Sequence, residues 1–124
     1  MKKEKLLILI VDDNINFVKR IVSMIEDLDN IGYINVAADY EEAVKLLEEM
    51  PDLVLLDINL PGKSGIELLR RIKESGSETE VIMITNHADG YYRKVCKDLG
   101  AEYFLDKTND FAKVPEIISK VHPY

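Results

Sequence analysis

The chain has one cysteine, Cys96, among 124 residues. A single thiol excludes an internal disulfide and leaves no cysteine pair at metal-ligand spacing, which suits a reducing cytosol. A small buried helix residue is the expectation for it. Long apolar runs are also missing: nothing approaches the roughly 20 residues that a membrane-spanning helix needs. The opening Met1-Lys2-Lys3 followed by Leu6 to Val11 has the outline of a signal peptide, but the run is short and ends at Asp12-Asp13 without a small-residue cleavage site, so it reads as a strand. A soluble, cytoplasmic protein without a membrane partner is expected. Basic residues are outnumbered, 16 against 23 acidic, for a net charge of -7. That balance disfavours binding to a phosphate backbone, where affinity comes from Lys and Arg displacing counterions, and no direct nucleic-acid contact is expected. Linkers, internal repeats and low-complexity tracts are absent too. One domain over residues 1–124 is the expectation.

What is present is an alternation. Four runs are continuously apolar: Leu6 to Val11, Leu53 to Leu56, Val81 to Ile84, and Tyr103 to Leu105. Continuity of this kind marks strands covered on both faces, as in parallel sheets. A weaker run, Tyr33 to Ala38, fits between the first two. Between the runs, apolar residues recur at helical spacing: Phe17, Ile21, Met24, Ile25, Leu28; Ala43, Leu46, Leu47; Ile66, Leu69, Ile72; Tyr92, Val95, Cys96, Leu99; Val114, Ile117, Ile118, Val121. Gly76 and Gly100 suit left-handed helix ends, and Met50-Pro51 stops the second helix. Five strand-helix alternations with short connections predict a doubly wound α/β sheet with helices on both faces.

Polar residues follow the ends of these runs: Asp12-Asp13, Asp57, Thr85 and Asp106-Lys107. All strand C-termini of a parallel sheet lie at one edge, where open α/β sheets hold ligands, so these residues converge on one crevice. Like charges ~4 Å apart repel by roughly 4 kcal/mol at the effective dielectric of a protein surface. Lys107 supplies one compensating charge, and an all-oxygen site with excess negative charge suits a hard divalent cation, Mg²⁺ first and Mn²⁺ as a substitute. Such a site fits phosphoryl transfer, in which one equatorial oxygen goes to the metal, one to Lys107 and one to the Thr85 hydroxyl. A carboxylate can act as nucleophile and form an acyl phosphate. The chemistry by itself leaves open which aspartate is attacked.

The ordered set Val11-Asp12-Asp13, Leu55 to Gly65 around Asp57, Ile84-Thr85 and Asp106-Lys107 resembles the receiver domains of two-component response regulators over essentially the whole chain. The resemblance implies a five-stranded (βα)5 flavodoxin-like sheet of order 2-1-3-4-5. It implies that Asp57 is the phosphoacceptor, and that Asp12 and Asp13 hold Mg²⁺ together with Asp57 and the backbone carbonyl of Asn59. It implies further that Thr85 and Lys107 contact the phosphoryl group, that Asn59 and His87 tune the rate of water attack, and that Phe104 is a switch aromatic coupled to Thr85. The implied partners are a histidine kinase or phosphotransfer protein upstream and a downstream protein that meets the surface of helix 4, strand 5 and helix 5. With no output segment in 124 residues, a stand-alone regulator or relay intermediate is expected, an excised piece of a longer regulator being the alternative.

Plainer explanations stand beside these roles. Asp12-Asp13 could cap the first helix, Thr85 could cap a helix starting near Ala88, and Lys107 alone could be a solvated side chain. Pro61, Gly62 and Gly65 could serve only a turn, the glycines permitting positive φ. His87 could be structural, Tyr91-Tyr92 packing, and Phe104 ordinary core; His122 has no assigned role. Two departures from the usual pattern stand out. Lys107 is followed by Thr108 where proline is common, leaving that loop without its constraint. Asn86 is bulkier than the residue often found after the threonine, and is expected to narrow access to the acyl phosphate. The competing functions are a pseudo-receiver that binds proteins without chemistry, and an aspartyl phosphatase. Asn59 stands where the phosphatase would need a second carboxylate.

Overall fold

A computed structural model describes residues 5–123. Met1-Lys2-Lys3 and Tyr124 lie outside the described residues. Five strands alternate with five helices: β1 (Leu6–Val11), α1 (Ile15–Ile25), β2 (Ile31–Ala37), α2 (Tyr40–Leu46), β3 (Leu53–Leu56), α3 (Gly65–Glu74), β4 (Glu80–Thr85), α4 (Gly90–Asp98), β5 (Tyr103–Asp106) and α5 (Val114–Ser119). All pairings are parallel, in the order β2-β1-β3-β4-β5, as the resemblance implied.

The continuous runs are explained by the two faces of the sheet. Successive strand residues point to opposite sides. Ile8 and Ile10 of β1, Leu55 of β3 and Ile84 of β4 therefore join Phe17, Val18 and Ile21 of α1 and Val114 and Ile118 of α5 in one core. Leu9 and Val11, Leu56 and Met83 face the other way and meet Ala43, Leu68, Leu69 and Cys96 from α2, α3 and α4. Every residue of β3 is buried, which is why this strand carries no alternation.

Local signals set the element ends, and four details differ from the readings considered above. The first helix is capped by Asn14, whose side chain accepts the Phe17 N–H at 3.1 Å, and not by Asp12-Asp13. Asp12 Oδ1 instead takes the Asn14 N–H at 2.8 Å, which delays the helix start. The fourth helix begins at Gly90 under Asp89, not near Ala88 under Thr85. The second strand starts at Ile31 and stops at Ala37, so Ala38 lies beyond it. The fourth difference is Gly65, which lacks the positive φ that Gly62 has (88°). As expected, Gly76 and Gly100 are left-handed after α3 and α4. The second helix passes into a short 3-10 turn that ends at Met50, itself left-handed at φ 57° before Pro51.

Cys96 is wholly buried on α4, as its sequence context suggested. Burial pushes its thiol up to about 11. The folded chain thus keeps a proton that an unfolded cysteine releases above about pH 8.5, so this contribution to stability is whole below that pH and is lost as pH rises towards 11. Thiol reagents at pH 8 are expected to leave the native protein unmodified and to react once denaturant opens it. Stoichiometric labelling of the folded protein within minutes would contradict this burial.

Candidate functional site

β1, β3 and β5 end side by side at the C-terminal edge, with β4 between the last two. Their parallel register carries Asp12-Asp13, Asp57 and Lys107 there together. One carboxylate oxygen from each of Asp12, Asp13 and Asp57 lies within 4.8 Å of the others. Asp12 and Asp57 are buried, at 3% and 6% exposure, while Asp13 is exposed. Lys107 Nζ reaches in between, 2.7 Å from Asp12 Oδ2 and 3.1 Å from Asp57 Oδ2. Asp57 Oδ1 accepts the Asn59 N–H at 3.3 Å. The pocket above them, about 490 Å³, is lined by Asp13, Asn14, Asp57, Asn59, Leu60, Pro61, Asn86 and Lys107.

Charge within this group is unbalanced. Three carboxylates face one ammonium. Burial pushes the Asp12 carboxyl above its ordinary range, despite the pull of Lys107 and the Asn14 N–H in the other direction. Burial also draws the Lys107 ammonium down, but its contacts with Asp12 and Asp57 outweigh that and hold it above its usual value. Asp12 Oδ2 is buried against the Lys107 ammonium, 2.7 Å away. Three carboxylates gathered around one ammonium leave negative charge in excess, and an all-oxygen set of that kind fits a hard cation. Asp12, Asp13 and Asp57 could hold it.

The other predicted residues are placed as follows. Thr85 ends β4 with its side chain wholly buried, and its Oγ1 accepts the His87 N–H at 3.1 Å, a turn inside the β4-α4 loop in place of the cap considered for it. Its backbone carbonyl accepts the Lys107 N–H at 3.1 Å, which ties the two strand ends. Asn59 and His87, 28 positions apart, are joined by a hydrogen bond between Asn59 Nδ2 and His87 Nε2, and the His87 ring stands edge-on to Tyr92. Asn86 lines the pocket. Phe104 is half-buried and packs against the core beneath α2, α3 and α4, while the Arg93 guanidinium sits 4.8 Å from its ring centroid and donates to its carbonyl at 3.1 Å.

Two features were not anticipated. Without a proline, the loop after Lys107 is fixed by aspartates: Asp106 Oδ1 accepts the N–H groups of Thr108 (2.7 Å) and Asn109 (3.1 Å), and Asp110 Oδ2 accepts the Asp106 N–H at 2.9 Å. No cis peptide occurs among the described residues. The pattern Asp106-x-x-x-Asp110 was the available signal, since Asp side chains commonly bond to backbone a few residues away. The second feature is Gly65: a Cβ there would stand 1.9 Å from the Asp57 carbonyl oxygen, so space and not φ demands glycine.

A doubly wound parallel sheet with an acidic, lysine-bearing pocket at its C-terminal edge defines an α/β site suited to phosphate or metal chemistry. Comparison with known proteins makes the class specific. The model of the response regulator receiver domain matches residues 8–119, and the chain belongs to that family of two-component signalling domains. It is 34% identical over 121 residues to the transcriptional regulatory protein CpxR of Escherichia coli, covering 93% of this chain and 50% of that protein. It is 34% identical over 102 residues to the transcriptional regulatory protein DltR of Streptococcus agalactiae, covering 81% and 44%. The chain thus spans about half the length of these curated relatives. Among solved structures, the CheX-CheY-BeF3-Mg+2 complex from Borrelia burgdorferi is similar with a TM-score of 0.83 and 34% identity, over 94% of this chain and 88% of that one. Receiver domains bind Mg²⁺ at an acidic pocket and interact with histidine kinases. Among the described residues no helix is long and apolar enough to cross a membrane.

Proposed function

We propose that the protein accepts a phosphoryl group on Asp57 from a phosphohistidine donor in a Mg²⁺-dependent reaction, and that the aspartyl phosphate switches a protein-binding surface. The observation that carries this is the convergence of three carboxylates with the buried Lys107 ammonium around an open pocket. Mg²⁺, when bound by Asp12, Asp13, Asp57 and the Asn59 carbonyl, offsets the negative charge that otherwise keeps an anionic donor away. An Asp57 carboxylate oxygen attacks phosphorus as the bond from phosphorus to the donor imidazole nitrogen breaks, and the nitrogen keeps the electron pair. Lys107 contacts one phosphoryl oxygen. The Thr85 hydroxyl turns to donate to another the O–H that its acceptance of the His87 N–H leaves free. Phe104 then turns, giving up its stack with Arg93. The Asn59-His87 pair stands beside the pocket and tunes how water reaches the acyl phosphate.

The similar Borrelia complex, which holds BeF3 and Mg+2, supports this account. The crowding of three carboxylates around one ammonium weighs against a binding module without chemistry, which gains nothing from such repulsion. A net charge of -7 favours a protein over nucleic acid as the direct partner, and we propose that this partner meets α4, β5 and α5 in the cytoplasm. Incubation with a small acyl phosphate and Mg²⁺ should add one base-labile phosphoryl group by intact mass, and chelation of the metal should prevent it. No gain in mass, or the same gain after chelation, would overturn the proposal.

A further inference from the structure

The Lys107 ammonium is enclosed from two sides. Asp12 Oδ2 and Asp57 Oδ2 face it at 2.7 and 3.1 Å. From α1, the ring of Phe17 lies with its centroid 4.4 Å from Nζ. Phe17 is 7% exposed, and Phe111 meets it edge-on at 5.7 Å and 64°. Phe111 in turn carries the Arg20 guanidinium 4.2 Å from its centroid. Lys107, Phe17, Phe111 and Arg20 form a stack in which cations and rings join the loop just after β5, α1 and the turn before α5.

An aromatic face carries negative charge density and attracts an ammonium, most strongly where water is excluded. Lysine needs such help because its charge rides on a flexible four-carbon stem. The two aspartates give it incompletely: their oxygens are also the candidate ligands for a metal and the point of attack on phosphorus. The ring has no competing use. Phe17 is placed by the α1 cap, since its own N–H is the one Asn14 accepts at 3.1 Å. The stack therefore starts at a fixed point.

We propose that Phe17 is a positioning residue, whose ring face holds the Lys107 ammonium in place for an incoming phosphoryl oxygen while the aspartate oxygens engage other partners. This rests on Lys107 being the phosphoryl-contacting cation. Phe17→Met removes the ring at similar volume, and Phe17→Tyr keeps it. With a small acyl phosphate and saturating Mg²⁺, Phe17→Met should take up phosphoryl groups about tenfold more slowly, a cation-ring loss of about 1.4 kcal/mol, and Phe17→Tyr should stay within about threefold of the parent. In a Lys107→Ala background, Phe17→Met should add almost nothing, because the ring acts through that ammonium. A purely structural role predicts the same loss in both backgrounds, and that result overturns the proposal. Equal rates for Phe17→Met and the parent would overturn it too, leaving the phosphoacceptor function intact. If the parent takes up no phosphoryl group, the function itself falls. Ring-current displacement of the Lys107 ε-methylene protons in the parent tests the contact without any reaction, or any variant that must fold, and its absence removes the basis of the proposal.

Discussion

Lys107→Ala is expected to slow phosphoryl uptake from a small acyl phosphate about 10²- to 10³-fold, the scale seen when one preorganised donor to developing negative charge is removed. The ammonium is positioned in advance, 8% exposed and 3.1 Å from the proposed nucleophile Asp57, so under this proposal it stabilises charge on the transferring group without first shedding water. Its loss also leaves Asp12 and Asp57 without the ammonium that lies between them. Breaking a buried pair by removing one partner typically costs about 3–5 kcal/mol. Part of that returns when Mg²⁺ binds, so the variant should be markedly more metal-dependent in its thermal stability than the parent. Rates from a time course of intact mass, taken at saturating Mg²⁺ and well below the unfolding transition, separate the two effects. A Lys107→Ala rate within threefold of the parent would remove Lys107 from the chemistry.

Gly65→Ala is the second large effect, and its sign is the test. Alanine is better than glycine in a helix by about 1 kcal/mol, and Gly65 opens α3 as Gly90 opens α4. At Gly90 an added Cβ meets nothing within 4 Å, so Gly90→Ala should be neutral or stabilising. At Gly65 the same atom would lie 1.9 Å from the Asp57 carbonyl oxygen, 2.8 Å from its carbon and 3.0 Å from Ile58 Cα. All three are backbone atoms, and none can rotate away. Overpacking usually costs about 1–3 kcal/mol, and this contact belongs at or beyond the upper end. A fall of roughly 10 °C in the unfolding midpoint follows for a domain of this size. The Gly65 N–H also donates to the Ile58 carbonyl at 2.8 Å, so relief must displace the segment that carries Asp57. A displacement near 1 Å at a reacting group can cost about 10²-fold in rate. Phosphoryl uptake should therefore drop even in fully folded Gly65→Ala. A midpoint equal to that of the parent would show that the α3 start does not press on Asp57.

The two glycines also show where sequence stops being sufficient. The strands were legible because burial on both faces leaves continuous apolar runs, and the site residues because polar side chains interrupt those runs at strand ends. Asp12, Asp13, Asp57 and Lys107 meet as that logic requires. The strand order was not legible from periodicity, which describes each strand's faces and not its neighbours; it came from family resemblance. The Asn14 and Asp89 caps were missed because Asp12-Asp13 and Thr85 are nearby residues of equally good capping type, and only tertiary geometry chooses among them. Glycine at 65 invited a φ explanation, since its neighbour in space, the Asp57 carbonyl, leaves no mark in the local sequence. Phe17 likewise read as one more apolar position on α1. Nothing local announces an ammonium ninety residues away over its ring.

Asp57 as the phosphoacceptor is tested most directly by trapping. After reaction with an acyl phosphate and Mg²⁺, borohydride reduction converts an aspartyl phosphate to homoserine, which tandem mass spectrometry of the digested protein locates. The account predicts the product at Asp57 alone, and none in Asp57→Asn. Homoserine at Asp12 or Asp13 in the parent, or a phosphoryl group that borohydride does not remove, would contradict it.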